Sequence, residues 1–188
     1  MAKLLPFRDY DEHDVINLFA FDYAGTSVTK GALVKIKSSA GWNVAQELDQ
    51  SNSMVGFSLN NVVSDRYAVN ARVQLAHSGD NPLGMLLYDV AETDENGEKL
   101  IYNPRKAAEM QTTVSGQAVP ILTKGLVLVK DVHGTATEGG LAYCGTGNAN
   151  DGLISATAGG TKKKIGRFLG TTGANGEVLL HLDVNIDL

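Results

Sequence analysis

The strongest constraint on the fold lies at the C-terminal end. Apolar residues recur there at every second position, at Val178, Leu180, Leu182, Val184, Ile186 and Leu188. Between them stand Leu179, His181, Asp183, Asn185 and Asp187, polar in all but the first case. Successive side chains of a strand point to opposite faces, so this spacing gives one apolar face and one wet face. Wound as a helix, the same residues would scatter apolar groups around the whole cylinder. The spacing therefore predicts a strand that runs to the end of the chain. Ahead of it, Gly173-Ala174-Asn175-Gly176 supplies residues that tolerate positive φ, as a tight hairpin needs. Ile165-Gly166-Arg167-Phe168-Leu169 is the expected partner strand. This hairpin reads as the closing piece of an all-β domain.

A chain of 188 residues fits one domain, or one domain with arms. Its 21 glycines exceed what a helical protein wants and suit many turns between short strands. With 43% hydrophobic and 20% charged residues it has an ordinary soluble composition, and no apolar run is long enough to span a membrane. The N-terminus lacks the apolar stretch of a signal peptide, so secretion by that route is not expected. One cysteine, Cys144, excludes an internal disulfide and suits synthesis in a reducing compartment. We expect it to be a small packed side chain rather than a nucleophile. A net charge of -5 argues against a general nucleic-acid-binding surface, which needs clustered cations.

Taken in order, residues 1–14 mix charges, aromatics and a proline without period. Such an arm would be loose in a free monomer, so a partner subunit is expected to hold it. Residues 15–21 (VINLFAF) are apolar on both faces and read as one buried strand. Residues 29–37 and 66–75 read as alternating strands, and residues 83–90 as a further buried strand. Asn103-Pro104 resembles a helix cap with proline at the first helical position, opening a helix of one or two turns over 105–111, the only one expected. Thr123-Lys124-Gly125 begins a strand much as Thr29-Lys30-Gly31 does, and Val55-Gly56-Phe57 echoes Ile165-Gly166-Arg167. Residues 15–188 thus form one core, with two halves, about 15–90 and 115–188, that could be related by duplication or share a recurring strand-turn unit. Residues 139–160, rich in Gly, Ala, Asn and Thr, are too long for a plain connector and should be functional, mobile or fixed by a partner.

No catalytic constellation is visible. His13, His77, His133 and His181 lie far apart, without partners at metal-ligand spacing, so no metal is expected. Gly145-Thr146-Gly147 begins like a dinucleotide fingerprint but lacks its third glycine and its strand-to-helix context. No Gly-x-Ser-x-Gly elbow and no phosphate-loop spacing occurs, so no cofactor is expected. Lys162, Lys163 and Lys164 with Arg167 form the one cluster of positive charge. It is either a solvated turn or a contact for an acidic partner, where such clusters set orientation and on-rate.

Several stretches together resemble structural proteins of tailed-phage heads: residues 10–20, 81–97, Asn103-Pro104-Arg105-Lys106, residues 115–120, Thr123-Lys124-Gly125, and residues 165–169 with Gly176-Glu177-Val178. Their order is most similar to head decoration, or cement, proteins, including those of phages of cyanobacteria and other marine bacteria. The resemblance implies a compact β-sandwich or barrel, β-tulip-like, with an extended N-terminal arm. It implies no enzymatic residues. It also implies binding, often as a homotrimer, to the major capsid protein on the outer surface of an expanded icosahedral shell, after synthesis in the host cytoplasm, with no nucleic acid or membrane as partner. Phe7, Arg8, Asp9, Tyr10 and Asp11 on the arm, and Lys162, Lys163, Lys164 and Arg167, are the candidate contacts with the shell or with neighbouring subunits. The alternative is a fibre or carbohydrate-binding β module of host adhesion, for which Trp42, Tyr102 and Tyr143 would be the aromatics, although core or interface packing accounts for them as well.

Overall fold

The structure is a computed structural model that describes residues 3–6, 8–11, 13–22, 27–41, 71–146 and 152–184. Its strands are β1 (Lys3–Leu5), β2 (Val15–Ile16), β3 (Ala20–Phe21), β4 (Leu33–Ile36), β5 (Arg72–Leu75), β6 (Gly84–Leu86), β7 (Asp89–Val90), β8 (Thr112–Thr113), β9 (Ile121–Leu122), β10 (Lys124–Lys130), β11 (Leu141–Cys144), β12 (Ile154–Ser155), β13 (Lys164–Phe168) and β14 (Glu177–Asp183). Among the described residues one short helix, α1 (Pro104–Glu109), follows a 3-10 turn at Leu100–Tyr102. The fold is all-β, as the spacing predicts.

The expected closing hairpin is present. β14 buries Val178, Leu180 and Leu182 and leaves Glu177, Leu179, His181 and Asp183 half-buried on its other face. Val184 is a turn residue, its N–H donating to the Thr123 carbonyl at 3.2 Å, and the expected continuation over residues 185–188 lies outside the described ones. β13 pairs with β14 at Gly166↔Leu182, Arg167↔His181 and Phe168↔Leu180. β10 pairs along β14's whole other edge, from Lys124↔Asp183 to Lys130↔Glu177. Among the described residues the C-terminal sheet has the order β1-β10-β14-β13-β11-β12. Gly166 has a packing reason to be glycine, because a Cβ there would run into the backbone carbonyl of His181.

A second sheet, of order β2-β9-β6-β4-β5-β3, curls on itself. Its two edge strands belong to one stretch of chain. On one side this stretch pairs with β9 and bridges Ala20 to Ala118; on the other, β3 runs parallel to β5. Residues 15–21 therefore close a small barrel. Sequence reading expects one continuous strand here, but Asn17, Leu18 and Phe19 interrupt it, since the chain changes partner from β9 to β5 at this place. The barrel interior holds Phe19, Phe21, Val34, Val73, Leu86 and Ile121. Outward-facing Leu33, Met85 and Leu122 join Val127, Val129, Leu180 and Leu182 of the C-terminal sheet in the main core. Alternation along β4, β6 and β9 thus feeds two cores, one on each side of the sheet.

At four further places the structure refines the sequence reading. Residues 83–90 are two strands, because Leu87 and Tyr88 bend the chain and β7 leaves the barrel to pair in parallel with β8. Asn103 is the helix N-cap and Pro104 opens the helix, as expected, but the Asn103 side chain makes no cap hydrogen bond. The region 139–160 contributes β11 and β12 to the C-terminal sheet, so its described part is neither connector nor free loop. The arm is not loose: β1 pairs with β10 at Leu4↔Val129, the Leu4 N–H donates to the Lys30 carbonyl at 3.3 Å, and Leu4 is buried. The two Thr-Lys-Gly stretches occupy different settings. Lys30 and Gly31 form a turn before β4, whereas Lys124 and Gly125 open β10. The companion stretch 55–59 and Trp42 lie outside the described residues.

Beside the barrel, Leu100, Ala107 and Val114 make a small satellite core around α1. Its keystone is Asp94, whose side chain is fully enclosed. One carboxylate oxygen accepts the N–H groups of Asn96 at 2.9 Å and Glu98 at 2.7 Å, and the other meets the Lys106 ammonium from α1. Lys106 and these backbone N–H groups together outweigh burial and hold the Asp94 carboxyl below the usual carboxylate range.

Two outcomes follow from this packing. Gly166→Ala should lower stability by about 1–3 kcal/mol, as overpacking does, read as a fall in Tm; an unchanged Tm would mean that β13 and β14 do not approach as described. A carboxyl whose folded pKa is depressed contributes stability that is present above its unfolded value of roughly 4 and lost as pH falls through the folded one. Asp94→Asn should therefore have a lower Tm than the parent at pH 7, with the gap closing towards pH 2.5. A gap independent of pH would show that the charge has no part in holding α1.

Candidate functional site

The residues that sequence reasoning selects fall on two surfaces. The first is the arm. Tyr10 anchors it: the phenol donates to the Leu126 carbonyl at 3.1 Å, and its ring lies over Gly125, where an added Cβ would stand 3.5 Å from ring carbons. Burial pushes the Tyr10 phenol up, and the nearby positive charge of Arg8 offsets part of that rise. The Arg8 guanidinium sits 5.6 Å from the centre of the Tyr10 ring, within range of a cation–π contact. Arg8, Asp9 and Asp11 are exposed. Asp11 accepts the His13 N–H at 2.9 Å and faces the His13 ring nitrogen at 2.5 Å, and these bonds hold its carboxyl below the usual range. Phe7 lies outside the described residues.

Arm, barrel and satellite core border an open groove of about 1260 Å³. Three of its ionisable lining groups are engaged in other contacts. Lys30 Nζ donates to Gln111 Oε1 at 3.0 Å, the Tyr10 hydroxyl is held by Leu126, and Arg8 lies over the tyrosine ring. No acid–base pair is assembled by these bonds. Among the described residues no group of three His, Cys, Asp or Glu side chains could hold a metal ion. Cys144 is fully buried, its thiol directed at the His77 carbonyl 3.6 Å away, the packed role expected of it.

The second surface carries the basic cluster, and the structure divides it. Lys162 turns inward, donating to the buried Ser155 hydroxyl at 3.0 Å and to the Thr157 carbonyl at 2.9 Å, so it braces the turn before β13. Lys163 is exposed. Lys164 and Arg167 belong to β13, with Lys164 opposite Tyr143 and Arg167 between Leu141 and His181. A run of like charges gives no sign of which member is captured internally. The same face bears residues that sequence reasoning does not select: half-buried Leu5, Leu128 and Leu179, and Leu169, which is 48% exposed. The available signal is Leu179, the one apolar residue on the wet side of the last strand.

Of the aromatics tied to the adhesion alternative, Tyr143 is half-buried on β11. Tyr102, at the end of the 3-10 turn, is 74% exposed and belongs to no core cluster among the described residues. Its surroundings, Asn103, Pro104, Arg105, Lys106 and Glu109, form a shallow depression.

A family model described as Structural cement protein (E217 gp24/Pam3 gp6) matches residues 9–183. Comparison with curated proteins finds no match. The matched span begins on the arm, passes through the barrel and satellite core, and ends with β14. The chain therefore belongs to the phage structural cement protein family, and its role is that of a capsid cement, or decoration, protein.

Proposed function

We propose that the protein binds the outer surface of the expanded icosahedral shell of a tailed-phage head as a homotrimer, contacting the major capsid protein. The observation that carries this reading is the family match across residues 9–183, from the arm through β14. The site agrees with it, for the exposed side chains of the two surfaces are charged and apolar contact groups. Arg8, Asp9 and Asp11 on the arm, anchored by Tyr10, with Lys163, Lys164 and Arg167 on the second surface, are the proposed contacts with shell or neighbouring copies. Lys162 acts by shaping the turn that presents them. The net charge of -5 speaks against nucleic acid as a partner. A lone buried cysteine suits a chain made in the host cytoplasm.

A ligand that binds only the mature shell stabilises it by mass action, by about 2.7 kcal/mol per site at a hundredfold excess over Kd. Purified protein mixed with expanded, undecorated heads should co-sediment with them and raise their disruption temperature, and should leave unexpanded shells unoccupied. In sedimentation velocity, the free protein should run as three copies of the 19.9 kDa chain. Absence of binding to expanded heads, with retention on a glycan array, would replace this reading with the adhesion module.

A further inference from the structure

On the C-terminal sheet, the residues facing away from the core form a pattern that the fold itself does not require. Leu5, Leu128 and Leu179 stand in one cross-strand row, through the pairs Leu5↔Leu128 and Leu128↔Leu179. Leu169 extends the row, its N–H donating to the Leu179 carbonyl at 2.9 Å. In the next row Leu126 stands opposite His181, and His181 opposite Arg167. The leucines alternate with fully buried neighbours such as Val129 and Leu180, so they point to the opposite side from the main core. An apolar band thus crosses β1, β10, β14 and the residue after β13, each member partly open to solvent.

The charges around this band are mostly positive. Lys3, Lys124, Lys130, Lys164 and Arg167 share the face with Glu177 and Asp183. The chain as a whole carries a net charge of -5, so this face is basic on an otherwise acidic protein. A second copy docked by the same face would set these cations against their own counterparts, which disfavours it.

Resting on the cement reading above, we propose that the outer face of the C-terminal sheet is the docking surface, and that its occupant is an acidic patch of the capsid shell with an apolar centre. The leucine row supplies the dehydrated middle of the contact, and the surrounding cations orient the approach and speed it at low salt.

The test uses the full chain and expanded, undecorated heads, with binding measured by co-sedimentation across a salt series. Leu128→Ser/Leu179→Ser should weaken binding about tenfold or more, the scale of losing buried leucine area. Arg167→Glu, at an exposed position that leaves the core intact, should also weaken binding and flatten its salt dependence. Arg105→Glu on α1 serves as the control and should bind like the parent. Should the leucine variant fail to fold in thermal unfolding, Arg167→Glu alone decides. Parent-like binding and salt dependence of folded Arg167→Glu would overturn the docking face and leave the cement reading standing. Failure of the parent itself to bind expanded heads would overturn both. A leucine variant that loses only self-association, with shell occupancy unchanged, would make the face a contact between copies and overturn the proposal.

Discussion

The fold hangs on the pairing of β10 with β14. These are the longest strands described, and they face each other in unbroken register from Lys124↔Asp183 to Lys130↔Glu177. Their inward side chains, Val127, Val129, Val178, Leu180 and Leu182, form the floor on which Leu33, Met85 and Leu122 of the barrel rest. The other strands of that sheet assemble on their outer edges, β1 beside β10 and β13 beside β14. The arm depends on the same pair, since Leu4 docks opposite Val129 and the Tyr10 hydroxyl reaches the Leu126 carbonyl. A slip of one residue in this register would exchange core and surface along both strands.

That dependence suits a cement. A protein that stabilises a shell by adding to it must present a surface whose shape does not yield when loaded. A sheet anchored on one side by a barrel core offers such a surface, with its outward side chains held at fixed strand spacing. Catalysis would ask for something different: titratable groups converging in a closed space. Several titratable groups among the described residues brace the fold instead. Lys162 supports the turn before β13, Asp94 gathers the satellite core, and Lys30 holds Gln111.

What the sequence discloses is local. The last hairpin is legible because period-two alternation in a half-buried strand survives in composition, and the phase of 71–75 is legible for the same reason: Ala71 and Val73 are buried as that phase requires. Pro104 marks the helix start correctly. The barrel is not legible. Residues 15–21 close it by pairing with 118–122 on one side and β5 on the other, and an apolar run carries no record of such distant partners. The candidate surface is half legible. Arg167 and Lys163 are exposed as a charged stretch suggests, while Lys162 is drawn to the buried Ser155, which no spacing announces. The leucine row escapes because its members come from separate strands and meet only through register.

The most direct measurement of the central claim is a cryo-electron microscopy reconstruction of decorated, expanded heads, with this structure fitted into the added density. The account places the C-terminal sheet against the shell, with Leu128, Leu179 and Arg167 at the contact. A reconstruction in which that sheet faces solvent and the protein grips the shell through the barrel or α1 would contradict it.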